Sequence, residues 1–294
     1  MKMGKTNRII KKIALGGGRF LPDKLYISIR YYLTFKRRMH WKKPETYTEK
    51  VQWMKVNMRD DAMTMLVDKY SVRNYIKEQI GAQYLIPLLG VWDSYDEIDF
   101  DKLPQQFVLK CNHDSGSILI VKDKSSFDRS KGKAHFDYYL NRSQFYGGRE
   151  WPYKNVPRKI VAEQYMVDES GTGLNDYKFF CFSGEPKFLF VATERMTEGE
   201  DVKFDFFDLN FKHLPFKNGH EWSKQAVNKP ENFDLMVSIA RKLAGKWPQV
   251  RIDLYNINGR IYFGEITFSH HCGFEKFTPD EWDFKIGKLV KLSK

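Results

Sequence analysis

The sequence has few cysteines and no long apolar run. Its 294 residues include three cysteines, Cys111, Cys181 and Cys272, and none of them belongs to a CxxC pair. This spacing argues against a zinc site or a disulfide framework and is typical of thiols in a reducing compartment. No apolar stretch approaches the ~20 residues that a membrane-spanning helix needs. The basic N-terminus also lacks the apolar segment of a signal peptide, so we expect a cytoplasmic protein.

Signatures of several enzyme classes are missing as well. The sequence contains no GxxxxGK[ST] phosphate loop, no GxGxxG after a strand and no GxSxG nucleophile elbow. A P-loop site, a dinucleotide-binding fold and a serine hydrolase are therefore not predicted. A nucleotide-sugar glycosyltransferase would use a metal-binding Asp-x-Asp strand, whereas Asp205 and Asp208 of the FDFFD segment flank a Phe-Phe pair.

The excess positive charge lies at the N-terminus. Residues 1–43 contain 13 Lys or Arg against one acid, Asp23, whereas the rest of the chain holds 36 basic and 36 acidic residues. Cations interleaved with Ile, Leu, Tyr and Phe favour an anionic membrane surface as partner, which would place the protein at the inner face of the plasma membrane. Two alternatives stay open: the arm packs on the body, or it binds nucleic acid. No homeodomain, zinc-finger or RNP-like pattern supports nucleic acid, so that partner is not expected.

The body of the protein begins at Pro44 with a helical pattern. Thr46 and Glu49 have the spacing of a capping box, which predicts the start of a helix. Residues 61–81 continue with a second helical stretch that Gly81 ends. Residues 85–92 are short and apolar and predict a strand interrupted at Pro87.

Residues 107–124 predict two strands joined by a small polar loop. The loop sequence is Asn-His-Asp-Ser-Gly-Ser, in which Gly116 is free to adopt positive φ. Lys110 ends the first strand and points towards the loop. Backbone N–H groups in such a turn, beside a lysine, can bind phosphate oxygens. Further along, residues 159–166 predict a strand that carries Glu163. A strand over 177–182 follows, with Asp176 and Lys178 on one face, and then strand 186–192.

A hairpin with two acids, residues 250–268, is the most informative stretch. Asp253 and Glu265 interrupt apolar strands, where a carboxylate is costly unless it is paired or bound to a cation. A two-residue loop, Asn258-Gly259, would pair Asp253 with Gly264 and put Glu265 on the opposite face. Alternatively, the acids face solvent or pair with an arginine, Arg251.

A three-residue loop, Ile257-Asn258-Gly259, gives a different register. With Gly259 left-handed in a bulge, it pairs Asp253 with Phe263 and Arg251 with Glu265. The side chains of Arg251, Asp253, Glu265 and Thr267 would then share one face, within reach of one hard cation such as Mg2+.

The order of these motifs resembles the TupA-like branch of the ATP-grasp superfamily. The resemblance covers about residues 44–290 and rests on EKVQWMK, VDKY, IPLLGVWDS, FVLKCNHDSG, AEQYM, DYKFFCFSGEPK and VRIDLY…GRIYFGEITF. It implies an α+β ATP-grasp fold, in which two α+β lobes clasp ATP, preceded by a basic helical N-terminal arm. The implied divisions are the arm at 1–43, a helical/α-β subdomain at 44–104, a small lobe with the phosphate loop at 105–168 and a large lobe with the metal-binding hairpin at 169–294.

The resemblance also implies roles for individual residues. The phosphates of ATP would be held by two lysines and a flexible loop: Lys69, Lys110, His113, Ser115, Gly116 and Ser117. The adenine and ribose would be bound by the hinge between the lobes and an acid after it: Glu163, Gln164, Met166 and Asp176. Mg2+ would be held by Asp253, Glu265 and Thr267, where Thr267 replaces the usual Asn. Arg251 would lie near the γ-phosphate, and Lys110 and Lys178 would assist it in catalysis.

The implied reaction is an ATP- and Mg2+-dependent ligation of a carboxylate to an amine through an acyl phosphate. Because members of this branch sit among genes for surface-polysaccharide or teichuronopeptide synthesis, the acceptor would be a sugar acid or glycan precursor, and the donor an amine. Three alternatives remain: a glycosyltransferase of polysaccharide synthesis, a sugar kinase, and a non-catalytic ATP-grasp scaffold. Thr267 and the unusual Ser269–Gly273 turn leave the last one open. We expect His270, His271 and Cys272 to line the substrate pocket or to be structural, since consecutive ligands cannot wrap one zinc ion.

Overall fold

The computed structural model describes residues 18–167, 174–194 and 201–292. Within these ranges the chain forms two main antiparallel sheets and a short two-stranded one. The α-helices are α1 (Asp23–Phe35), α2 (Tyr47–Asn57), α3 (Asp61–Val67), α4 (Val72–Gln79), α5 (Arg129–Leu140), α6 (Gln144–Gly148), α7 (Phe233–Ala244) and α8 (Glu281–Gly287). Short 3-10 turns occupy Gly18–Phe20, Ala82–Tyr84, Tyr95–Glu97, Phe100–Lys102, Lys124–Ser126, Trp151–Tyr153 and His270–Gly273.

The smaller sheet has four strands in the order β1-β4-β2-β3. Its β2 alternates buried and half-buried residues, because one face packs on α5 and the other faces a cavity. Strand β1 lies before the predicted boundary at residue 104 and pairs with β4. The strands are β1 (Leu88–Trp92), β2 (Phe107–Cys111), β3 (Leu119–Val121) and β4 (Ile160–Gln164).

The larger sheet has five strands in the order β10-β9-β5-β6-β7. Most residues of its central strands are apolar because both faces are covered, one by α3, α4 and α7 and the other by α2 and α8, while the polar residues of β5 and β9 face a cavity. The strands are β5 (Asp176–Phe182), β6 (Glu185–Thr193), β7 (Lys203–Asp208), β9 (Val250–Ile257) and β10 (Arg260–Thr267), and the two-stranded sheet pairs β8 (Lys217–Asn218) with β11 (Phe277–Thr278).

The helix start predicted at Thr46 is confirmed. The Thr46 hydroxyl accepts from the backbone N–H of Glu49 (3.2 Å), and the Glu49 carboxylate accepts from that of Thr46 (3.2 Å). The single helical stretch predicted for residues 61–81 is wrong, because the chain leaves the helix at Asp68. The Asp68 carboxylate accepts from Tyr70 N (2.9 Å) and Ser71 Oγ (2.7 Å), a local bond that competes with a continuous helix.

The described part of the basic arm packs on the body. Helix α1 buries Tyr26, Ile27 and Tyr31 against Met39 and Phe274. Residues 1–17 of the predicted arm lie outside the described residues. Among the helices of the described chain, none is both long and apolar enough to cross a membrane.

Candidate active site

The β9–β10 hairpin turns at Asn258-Gly259. Both residues have positive φ, 50° and 77°, as a two-residue hairpin turn requires. Ile257 pairs with Arg260, so of the two loop lengths left open the two-residue one is present, and the pairing of Asp253 with Phe263 that the three-residue loop required is absent.

A bulge at Gly264 sets the register beyond the turn. The pairing shifts by one residue there, so that Asp253 faces Glu265 and Arg251 faces Thr267. A Cβ atom on residue 264 would lie 3.0 Å from the backbone oxygen of Asp253, which explains the glycine. The four side chains therefore share one face, as predicted, but a bulge within the strand brings them together instead of the loop.

Arg251 connects the polar side chains of this face. It binds Asp253 through Nε and Nη2 (both 2.7 Å), and Nη2 also donates to Glu265 (2.9 Å) and Thr267 (3.1 Å). Its Nη1 donates to Nδ1 of His270 (2.6 Å). Burial, with the neighbouring histidines and Arg251, lowers the pKa of His270 well below its usual range, so this imidazole is a neutral acceptor.

Strand β5 adds Asp176 and Lys178 to the same face. Lys178 lies opposite Asp253 in the pairing, forms an ion pair with it, and contacts Asp176 at 2.5 Å. Burial raises the pKa of Asp253, against the effect of Arg251 and Lys178. Burial also acts to raise the pKa of Glu265, but Lys178, Lys69 and Arg251 outweigh it and hold that pKa well below its usual range. The Glu265 carboxylate is therefore ionised.

The smaller sheet contributes a second ion-pair cluster. Glu163 accepts from Lys110 (2.5 Å) and from Arg73 of α4 (3.2 Å). Arg73 also donates to the carbonyl of Ile86 (2.8 Å). Sequence reasoning missed Arg73, because it belongs to no motif and reaches the site only through the packing of α4. The Glu163 carboxylate is thus held by two cations, while Gln164 N donates to the Pro87 carbonyl (3.0 Å).

The loop predicted to bind phosphate is folded on itself. Asp114 accepts from the Ser117 hydroxyl (2.5 Å), and buried His113 donates from Nε2 to the carbonyl of Arg142 (3.2 Å). Ser115 is exposed and lines the larger cavity described below. Gly116 is exposed but does not use positive φ. The structure therefore brings Ser115, and not the side chains of His113 and Ser117, to the cavity.

Two adjoining cavities lie between the sheets. An apolar one of about 270 Å3 and a polar one of about 420 Å3 share Lys110, Ile118, Tyr255 and Gly264 as lining residues. The apolar cavity contains the predicted hinge residues Glu163, Gln164 and Met166 together with Val108, Ile120 and Leu174. The polar cavity contains Lys69, Ser115, Asp176, Lys178, Arg251, Asp253, Glu265 and Thr267.

The far end of the polar cavity is formed by a strained turn. His271 and Cys272 both have left-handed backbones, with φ of 48° and 55°, which non-glycine residues rarely adopt. Helix α2 holds the turn: Gln52 donates to the carbonyls of Cys272 (3.1 Å) and Gly273 (2.7 Å), and Lys55 donates to that of Cys272 (2.7 Å). Such strain persists only where the surroundings over-determine it and is frequent at functional sites. His270, His271 and Cys272 all line the polar cavity.

The donor set of the hairpin fits a magnesium ion that is shared with a substrate. In the ranges that the structure describes, no three His, Cys, Asp or Glu side chains converge as a metal cluster. The face instead offers the carboxylates of Asp253 and Glu265 and the hydroxyl of Thr267, all of them hard oxygen donors. Mg2+ commonly takes one or two protein carboxylates and completes its shell with phosphate oxygens and water.

The chain is an α+β protein with two adjoining cavities between its two main sheets. A family model described as TupA-like ATPgrasp matches residues 49–291, which is most of the chain. The chain therefore belongs to the TupA-like ATP-grasp family, which confirms the resemblance and the predicted ATP-grasp fold.

Several solved structures are similar to the chain at low identity. A D-alanine–D-alanine ligase from Bacillus anthracis complexed with ATP is 15% identical, over 69% of this chain and 55% of the ligase, with a TM-score of 0.42. A RimK domain ATP-grasp protein from Sphaerobacter thermophilus is 9% identical, over 78% of this chain and 69% of that protein, with a TM-score of 0.43.

An N5-carboxyaminoimidazole synthetase from Staphylococcus aureus complexed with ADP is 11% identical, over 80% of this chain and 54% of the synthetase, with a TM-score of 0.38. The chain thus spans about half the length of this synthetase and of the Bacillus ligase. TM-scores below 0.5 support no inference from these proteins to this chain. A comparison with curated protein sequences gives no match.

Proposed function

We propose that this chain is an ATP- and Mg2+-dependent carboxylate–amine ligase that works through an acyl phosphate. One observation carries the proposal: an apolar cavity beside the hinge strand β4 continues directly into a polar cavity where cations and carboxylates meet. A nucleotide has the same division, with an apolar base at one end and a polyphosphate at the other. Membership in an ATP-grasp family supports ATP as that nucleotide.

The apolar cavity would take the adenine, and the shared lysine would mark the start of the phosphates. Gln164 and Met166 line the base end, and Asp176 lines the polar cavity. Lys110 lines both cavities, while Lys69 lines only the polar one. In this assignment Glu163 positions Lys110 and Arg73 through its two ion pairs and does not contact the base itself.

The polar cavity would hold the reacting groups. Glu265, Asp253 and Thr267 would hold Mg2+, which when bound would supply positive charge to the phosphate oxygens. Arg251, Lys178 and Lys69 present fixed cations to the same space, so charge that develops on the transferred group meets preorganised partners. Asp253 is already bound to two cations, so Glu265, which is partly exposed and ionised, is the more accessible metal ligand.

The proposed reaction has two steps. A carboxylate oxygen of the acceptor attacks the γ-phosphorus, and the bond to the β-phosphate oxygen breaks to release ADP. The nitrogen of an amine then attacks the acyl carbon, phosphate leaves with the electron pair of its C–O bond, and the amine loses a proton. No side-chain nucleophile is needed.

The acceptor would be a sugar acid or glycan precursor of a surface polysaccharide. Rings form the far wall of the polar cavity: Phe190, Phe204 and His271, with Phe204 stacked on His271 at 5.9 Å. Flat apolar rings beside a cationic floor suit a ligand with a sugar ring and a carboxylate. Cytoplasmic localisation and the membrane contact of residues 1–43 remain predictions.

Thermal unfolding with Mg-ATP, Mg-ADP and UDP-sugars tests the nucleotide site. Binding of Mg-ATP at about 100 times its dissociation constant should add about 2.7 kcal/mol to the free energy of unfolding. The Asp253→Asn/Glu265→Gln double variant should lose this increase. The matched control is Asp205→Asn, which changes a buried acid of β7 that pairs with His213 (3.1 Å) and should keep it.

The same preparations then identify the chemistry. Incubation with ATP, a uronic acid and hydroxylamine should yield an acyl hydroxamate, because hydroxylamine captures an acyl phosphate. A stability increase with UDP-sugars alone would replace the ligase by a glycosyltransferase. A phosphorylated sugar without hydroxamate would indicate a kinase, and no response to any nucleotide would indicate a non-catalytic scaffold.

A further inference from the structure

The outer face of helix α1 exposes large apolar side chains. Leu25, Ile29 and Tyr32 follow one face of the helix and are 48%, 38% and 53% exposed, and the neighbouring Phe20 is 88% exposed. Exposed apolar residues are normal when they are scattered, but a row of them on one element indicates an interaction surface.

Residues 18–43, which carry this surface, expose several cations, and their single acid is paired. The acid of residues 18–43, Asp23, is held by Arg149 (3.2 Å) and Arg59 (3.1 Å). The exposed basic side chains of this stretch are Arg19, Lys24, Lys36, Arg38, Lys42 and Lys43. Exposed apolar side chains on a stretch rich in exposed cations are the composition of a segment that lies on an anionic bilayer.

We infer that the outer face of α1, namely Phe20, Leu25, Ile29, Tyr32 and the basic residues around them, binds an anionic lipid bilayer. Charge argues against two other occupants of this surface, residues 1–17 and a second copy of the chain. Residues 1–17 carry five Lys or Arg and no acid, and a second copy would present the same positive surface, so both would repel it. Nucleic acid would satisfy the cations but would leave the apolar side chains in water.

The inner face of α1 connects this surface to the polar cavity. Tyr26 donates to the carbonyl of Gly147 (3.2 Å), and the guanidinium of Arg30 lies 4.0 Å from the ring centre of Phe274. Cys272 packs against the buried apolar residues under α1 and also lines the polar cavity. A bilayer on α1 is therefore separated from the far end of the cavity by the helix and by the apolar cluster under it. The enzyme would meet substrates that are presented at the membrane surface.

Vesicle sedimentation of the full chain tests the inference. The test variant is Leu25→Glu/Tyr32→Glu. The matched control is Leu235→Glu/Tyr138→Glu, which adds the same charge at positions of similar exposure, 47% and 57%, outside α1. Vesicles contain phosphatidylcholine alone or mixed with phosphatidylglycerol, at low and high salt. Mg-ATP thermal shifts and circular dichroism of all three proteins verify that the substitutions leave the fold intact.

We expect the wild type to bind the mixed vesicles and to release them at high salt. The test variant should bind at least about tenfold more weakly, and the control within about twofold of the wild type. Wild-type protein that stays in solution would overturn the inference, as would an equal loss in both variants. If light scattering shows a dimer for the wild type and the control but a monomer for the test variant, the surface binds a second copy of the chain. None of these outcomes depends on the ligase reaction.

Discussion

Replacing Arg251 tests whether the shared face of the hairpin is held by one buried cation. In Arg251→Met the carboxylates of Asp253 and Glu265 lose three hydrogen bonds of 2.7–2.9 Å, and the Thr267 hydroxyl loses one of 3.1 Å. Asp253 keeps Lys178 as its remaining cation. Removing one partner of a buried ion pair costs about 3–5 kcal/mol, because it leaves a charge without compensation. We expect a loss of that size at neutral pH.

The stability that Arg251→Met loses should depend on pH through the carboxyl group of Asp253. Burial raises the pKa of Asp253 in the folded protein, and Arg251 is the largest effect that opposes it. Without Arg251 this pKa rises further above the unfolded value, so the folded variant binds more protons than the unfolded chain. The contribution of Asp253 to the stability of the variant is then fully present at low pH and is lost as the pH rises through the folded pKa. The difference between Arg251→Met and wild type should therefore be smaller at pH ~5 than at pH ~7.5.

The double variant Arg251→Met/Asp253→Leu provides the control. Replacing a buried ion pair by apolar residues of similar volume is often neutral or stabilising. We expect the double variant to be at least about 1 kcal/mol more stable than Arg251→Met. Urea denaturation followed by tryptophan fluorescence measures all three proteins. A loss below about 1 kcal/mol in Arg251→Met, or a double variant less stable than the single one, would refute the reasoning.

Two further predictions concern helix α2. Burial lowers the pKa of Lys55 to about 7. Above this pH the unfolded chain binds more protons than the folded protein. The stability of the wild type relative to Lys55→Met should therefore rise by up to about 1.4 kcal/mol per pH unit from pH ~7 to ~8.5. Parallel urea curves for the two proteins across this range would contradict it. Thr46→Ala should cost about 1 kcal/mol of stability, because Glu49 N loses its acceptor. The control Ser143→Ala, at an N-cap without a side-chain hydrogen bond, should be nearly neutral. Equal midpoints of thermal unfolding for the two variants would contradict a stabilising role of the Thr46 cap.

Local sequence patterns were sufficient to predict several elements of the fold. The capping box at Thr46, the turn at Asn258-Gly259 and the shared face of Asp176 and Lys178 depend on neighbours in sequence, and the structure contains all three. The second helical stretch failed at Asp68, since propensity does not show when a side chain will compete for the backbone.

The candidate site was predicted less completely than the fold. The sequence identified Arg251, Asp253 and Glu265 as one group, but it assigned their alignment to the loop length. The bulge at Gly264 was not foreseen, because a glycine in a strand can serve several purposes. Arg73 was missed altogether.

By itself the sequence determined the family, the order of strands and loops, and which residue types meet at the hairpin, because these follow from local spacing and motif order. Only the tertiary structure decided which groups neutralise one another. The pairing of Glu163 with Lys110 and Arg73, the inward packing of His113 and the clamp of Gln52 and Lys55 on the strained turn join segments far apart in the chain. Such contacts depend on how helices and sheets pack, and no local pattern of residues specifies them.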